Sequence, residues 1–200
     1  VVKEKLKVKN VKIASVAGAF PSSQTFRILK ISECKMAVED GADEIDMVIP
    51  VGAFMGKDYE TVAEEILEIK EAIGDKTLKV IIESGLLGDN ELIFGASMIA
   101  MDAGADFIKT STGKTPVSAT PEAAFVMCQA ILNFYSETGI KVGFKAAGGI
   151  VSTTDALMYY NIVKHCLGDE WLSNKLFRIG ASRLANNVLA DLSGTRNDYF

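Results

Sequence analysis

Residues 102–114 read DAGADFIKTSTGK, and the fold turns on this stretch. A helical pattern stops at Gly104, an Ala105-Asp106 turn follows, and a short apolar run then meets Lys109 before a polar Thr-Ser-Thr-Gly loop. The arrangement predicts a helix end, a turn and a strand in immediate succession. Two other stretches repeat it: EDGADEID at 39–46, and ETGIKVGFK at 137–145 with one extra residue. The repeat sets Asp46, Lys109 and Lys145 at comparable depths in three strands. Units of this kind join parallel strands through helical crossovers.

The same alternation extends outward. Strand-like runs occupy 12–20, 44–50, 78–84, 106–112, 141–147 and 176–182, with helical periodicity between them. Val62, Ile66, Ile69 and Ile73 fall on one face of a helix over 60–73, with glutamates mostly opposite. Thr120-Pro121-Glu122 supplies a cap, a first-turn proline and an early acid. Phe125, Met127, Phe134 and Tyr135 read as helix core, and Trp171 as packing for the loop after Gly168. No linker divides the chain, so residues 1–200 are expected to form one domain. Six βα units leave two readings: an open parallel sheet, or a barrel lacking about two N-terminal units. The chain end, Tyr199-Phe200, reads either as a loose tail or as a segment folded over a neighbour.

Composition removes several function classes. With 48% hydrophobic residues, a net charge of −5 and a mean hydropathy of +0.21, the chain can bury one sizeable core and is mildly acidic. A nucleic-acid partner needs a basic patch; the only basic cluster, VKEKLKVKN at 2–10, is broken by Glu4 and apolar residues. No apolar run reaches the roughly 18 residues of a membrane span, and no secretory leader pattern is visible. Cys34, Cys128 and Cys166 are far apart, as reduced cysteines of a cytoplasmic protein would be. A single histidine, His165, in a helix-end pattern, cannot supply the multiple ligands or positioned base of most metal and Ser/Cys hydrolytic sites. Carboxylates, lysines and backbone groups remain, and no metal or other cofactor is expected.

A lysine inside a strand of a buried sheet is costly unless paired. Lys109 and Lys145 both occupy such positions, with Asp46 on a third strand; a purely structural ion cluster is one reading. The chemical reading is nucleophilic. An amine attacks a carbonyl only when unprotonated, and a free lysine titrates near ~10.4. Desolvation and a second ammonium both favour the neutral amine, and a nearby carboxylate can shuttle protons. Glycine-bearing turns follow three late strands, at Thr112-Gly113-Lys114, Gly148-Gly149-Ile150 and Gly180-Ala181-Ser182. The last two precede helices, where backbone N–H groups can hold an anion. Glu83-Ser84-Gly85 ends another strand on the same side and is a candidate pocket lining.

EDGADEIDMVIP, GADFIKTSTGK, GFKAAGGI and LFRIGAS together resemble the 2-deoxyribose-5-phosphate aldolase family, over about residues 12–192. The resemblance implies a (β/α)8 TIM barrel, of which about six βα units are present here, and a class I aldolase acting without metal. Its substrate would be a phosphorylated sugar, 2-deoxy-D-ribose 5-phosphate, cleaved reversibly to acetaldehyde and D-glyceraldehyde 3-phosphate; a homo-oligomer is compatible with it. It implies Lys109 as the Schiff-base lysine, Lys145 as the lysine that tunes it, and Asp46 in the proton relay. Gly113, Lys114, Gly148, Gly149, Gly180 and Ser182 fall on phosphate-associated positions. Ala146, Val151 and Arg183 depart from the family pattern. Another lysine-dependent barrel aldolase, and a truncated phosphate-binding fragment without activity, are the competing readings.

Overall fold

A computed structural model describes residues 1–8 and 10–195; Tyr199-Phe200 lie outside the described residues. The chain runs α1 (Val2–Lys5), β1 (Ala14–Val16), α2 (Arg27–Glu39), β2 (Glu44–Val48), α3 (Val51–Met55), α4 (Tyr59–Ile73) and β3 (Thr77–Ile81). It continues α5 (Ser84–Leu87), α6 (Asn90–Asp102), β4 (Phe107–Lys109), α7 (Pro121–Thr138), β5 (Gly143–Ala147), α8 (Thr153–Leu167), β6 (Phe177–Gly180) and α9 (Leu184–Ser193).

The helices start where their caps dictate. Asp58 accepts the Thr61 N–H at 3.2 Å ahead of α4, whose Val62, Ile66, Ile69 and Ile73 are all buried. Thr120 accepts the Ala123 N–H at 3.1 Å with Pro121 in the first turn of α7. Ser152 and Asp155 form a reciprocal capping box on α8. Glu65 is the glutamate of α4 that turns inward, because Lys30 of α2 meets its carboxylate at 2.7 and 2.8 Å.

All six strands are parallel and their order in the sheet is their order in sequence. Crossovers of one hand with no reversal of strand order put the long crossover helices on the same face. Ile45, Met47, Leu78, Val80, Ile108 and Phe144 point to that face and are fully buried beneath the helices. The opposite face is concave. In a flat sheet β2 and β6 would lie roughly 19 Å apart at about 4.8 Å per strand, yet Arg178 of β6 reaches Glu44 of β2 at 3.1 Å. The sheet is therefore a curled half-barrel with β1 and β6 at its edges, and its concave face carries charged side chains.

Three expectations need adjustment. Strand β1 is shorter than 12–20 because Gly18 and Ala19, at φ 75° and 62°, leave the extended region. Strand β4 is shorter than 106–112 because the Thr110 and Ser111 hydroxyls turn sideways to the carbonyl of Ala147. Phe125 is not core but 45% exposed. It sits two positions from both Ala123 and Met127, which are buried, so helical geometry turns it to the other face. Met127 and Phe134 are buried, and Tyr135 packs edge-on against Trp171, which donates to the Val142 carbonyl at 2.9 Å.

Candidate active site

The concave face concentrates ionisable groups because consecutive inward positions are two residues apart. In β2 these are Glu44 and Asp46; Lys79 of β3 is the register partner of Asp46, and Lys109 of β4 is the partner of Lys145 of β5. The lysine pair thus stands one inward layer nearer the C-terminal strand ends than Asp46, and the side chains converge. Lys109 Nζ and Lys145 Nζ donate to the same oxygen, Asp46 Oδ2, at 2.8 and 2.6 Å. Lys79 Nζ donates to Oδ1 at 2.9 Å. Below them, Glu44 lies 2.6 Å from Lys79 and 3.1 Å from Arg178.

Asp46, Lys79 and Lys109 are almost wholly buried, while the Lys145 side chain keeps 14% of its surface. Burial alone would push the Asp46 carboxyl up, but the ammonium groups of Lys109, Lys145 and Lys79 hold it well below the usual carboxylate range. Burial lowers the Lys145 pKa, and the positive charges of Lys109 and Lys79 add to this against the pull of Asp46. Four cationic groups share two carboxylates. That surplus favours loss of a proton from an amine, the state a carbonyl-attacking lysine requires.

The rim is held by close backbone contacts. Thr110 Oγ1 donates to the Ala147 carbonyl at 3.1 Å and accepts the Ala147 N–H at 3.0 Å, while Ser111 donates to the same carbonyl. These bonds bring the Gly113 loop against Gly148. A Cβ on Gly148 would lie 2.7 Å from Ser118 Oγ and 3.2 Å from Gly113 Cα, so the approach requires glycine there. Gly180 has a related role: a Cβ would stand 2.9 Å from Ala147 Cβ and 3.2 Å from Lys145 Cε.

A family model for DeoC/LacD family aldolases matches residues 5–164. The chain belongs to that family. Human deoxyribose-phosphate aldolase is 49% identical over 179 residues, covering 90% of this chain and 56% of the human one. A crystal structure from Toxoplasma gondii shares the fold with a TM-score of 0.84 at 23% identity, over 98% of this chain and 76% of that one. A tetrameric deoxyribose phosphate aldolase from Aeropyrum pernix superposes with a TM-score of 0.71 at 26% identity, over 92% of this chain and 70% of that one. The chain spans a little over half the length of the curated relatives it matches.

Within this DeoC/LacD aldolase fold, Asp46, Lys109 and Lys145 come together, Gly113 meets Gly148 at the rim, and Gly180 lies against Ala147 and Lys145. Lys114, Gly149 and Ser182 are exposed on the same loops. Just ahead of α8, Asp155 accepts the N–H groups of Val151 and Ser152 at 3.3 and 2.9 Å. Ala146 faces the core and is fully buried. Val151 is exposed and its carbonyl accepts from Asn187 at 2.7 Å; Arg183, also exposed, occupies the cap position of α9 without a side-chain cap bond. His165 is exposed in the last turn of α8.

Sequence reasoning missed Glu44, Lys79 and Arg178. The signal was present: Lys79 interrupts the apolar run LKVII as Lys109 interrupts its own strand, and Glu44 precedes Asp46 by the two residues that place both on one face. Among the described residues no helix is long and apolar enough to cross a membrane.

Proposed function

We propose that the protein is a cytoplasmic class I aldolase that reversibly cleaves 2-deoxy-D-ribose 5-phosphate to acetaldehyde and D-glyceraldehyde 3-phosphate. The observation that carries the reading is the shared Asp46 oxygen, on which two register-paired lysines of adjacent strands converge. Neutral Lys109 attacks the C1 carbonyl, and loss of water gives a Schiff base. The protonated imine withdraws electrons as the C2–C3 bond breaks. The C3 hydroxyl proton leaves towards the Asp46–Lys145 pair, and glyceraldehyde 3-phosphate departs. Protonation of the enamine at C2 by the same pair and hydrolysis release acetaldehyde. The covalent imine is the electron sink, so the reaction needs no metal in this reading.

Gly113, Lys114, Gly148, Gly149, Gly180 and Ser182 would bind the phosphate at the rim, with loop amides and Lys114 as donors. The six strands would be part of an eight-stranded barrel, one domain, with further units pairing at the β1 and β6 edges; assembly into a homo-oligomer is compatible with it. The test is synthesis in the reverse direction. Glyceraldehyde 3-phosphate and acetaldehyde, followed by NMR, should yield 2-deoxyribose 5-phosphate. Cleavage of ketose phosphates with no deoxyribose phosphate formed would favour a different lysine aldolase instead.

A further inference from the structure

Glu83 is a buried carboxylate that the chemistry above does not use. Its residue is 2% exposed, and its backbone sits at φ 52°, ψ 54°, a left-handed conformation that a glutamate adopts only against steric resistance. None of the ion pairs among the described residues includes it. Its carboxylate is instead spent on the neighbouring loop. The Thr112 N–H donates to Oε1 at 3.1 Å and Oε2 at 3.4 Å, and the Thr115 hydroxyl lies 3.4 Å from Oε1 while also donating to the Val117 carbonyl at 2.8 Å. The two loops are pressed together at this point. A Cβ on Gly85 would stand 2.0 Å from the Val117 carbonyl oxygen, and the Ser84 N–H donates to the Thr110 carbonyl at 2.9 Å.

The consequence falls on three successive amides. The Thr112 N–H is held by Glu83 and the Lys114 N–H by Thr112 Oγ1 at 3.0 Å. Between them the Gly113 N–H has no hydrogen bond among the described residues, and Gly113, at φ 75°, is exposed at the rim beside Gly148. An uncommitted amide next to two glycines is a donor for an anion. A buried charge in a strained conformation persists only where the surrounding structure enforces it, and such strain clusters at functional sites.

We infer that Glu83 is a positioning residue that clamps the Thr112–Lys114 loop and thereby sets the preference for a phosphorylated over an unphosphorylated substrate. This rests on the aldolase reading for its substrate. The measurement is the ratio of kcat/KM for 2-deoxyribose 5-phosphate to that for 2-deoxyribose, in the wild type, in Glu83→Gln and in Glu83→Gly. Gln keeps the volume but loses the charge; Gly accepts the left-handed backbone without strain and so guards against a variant that fails to fold. The ratio should fall about tenfold in both variants, the size expected for loss of one charge-assisted hydrogen bond. A ratio within about twofold of wild type, whatever the absolute rates, overturns the inference. If the wild type turns over neither sugar, the aldolase reading fails, and the clamp is then tested by calorimetry with inorganic phosphate. Affinity about tenfold weaker in the variants supports it; equal affinity, or no binding by the wild type, overturns it.

Discussion

Asp46 is the residue on which the cluster depends, since one carboxylate partners three buried ammonium groups. Asp46→Asn leaves those charges short of a counter-ion and should cost roughly 3–5 kcal/mol at pH 7, as breaking a buried pair does. Denaturant titration would show this, and a variant as stable as wild type would contradict it. The pH dependence follows from the depressed Asp46 pKa. Its stabilisation is fully present above the ordinary carboxylate value near ~3.9 and is lost as pH falls through the lower folded value. For Lys145 stability also rises with pH, but as a cost relieved rather than a gain acquired. Its folded pKa is lowered, so the protonated form costs stability at neutral pH, and that cost is relieved as pH rises towards ~10.4. Lys145→Met should therefore keep or gain stability at pH 7 while kcat falls about a hundredfold. An unchanged kcat would remove Lys145 from the mechanism. At this scale the sequence was informative wherever a charge broke an apolar strand. It was silent on which charges would meet, because contacts such as Glu44 to Arg178 join positions far apart in the chain.

The elements explain why the cluster is held so tightly. Gly180 in β6 leaves space for the aliphatic end of Lys145. Gly180→Ala should displace that amine and lower kcat about tenfold, since small misplacements in a reacting geometry are expensive; kinetics with a melting curve would check it. A full loss of folding, or wild-type kinetics, would contradict that role. Ser152→Ala should cost about 1 kcal/mol by removing the α8 cap and leave substrate discrimination unchanged. Helices were the most legible part of the sequence. α8 follows the Gly148-Gly149-Ile150 turn as read, and α4 begins one residue before the 60–73 pattern, because caps and periodicity are local signals. Strand ends were less so. β1 and β4 stop where positive φ values or sideways hydroxyl bonds to a neighbouring strand intervene, and the latter cannot be read from a window of sequence. Phe125 failed for a related reason, since only the buried face of α7 distinguishes it from Met127.

At the scale of the whole molecule, the half-barrel has two strand edges unpaired among the described residues and an apolar flank. Val16 of β1 is 47% exposed, and Phe26, Ile28, Leu29 and Met36 on and before α2 are 54% exposed or more. Free edges and apolar patches of this kind promote association. This chain should self-associate at concentrations on the order of tens of micromolar in sedimentation velocity, and Val16→Lys, a charge on the edge, should weaken that several-fold. A strict monomer, or association indifferent to the substitution, would contradict it. That the strands run parallel was legible from the strand–helix alternation and from the turn repeated before three of them, whereas the curl was not, because it depends on contacts across the concave face.

The central claim is covalent, and one measurement addresses it directly. The protein is incubated with 2-deoxyribose 5-phosphate, reduced with borohydride, digested and mapped by mass spectrometry. The account predicts a reduced adduct on Lys109, absent in Lys109→Arg and absent without substrate. An unmodified Lys109 peptide under conditions where the sugar is cleaved, or an adduct on Lys145 or Lys79 instead, would contradict it.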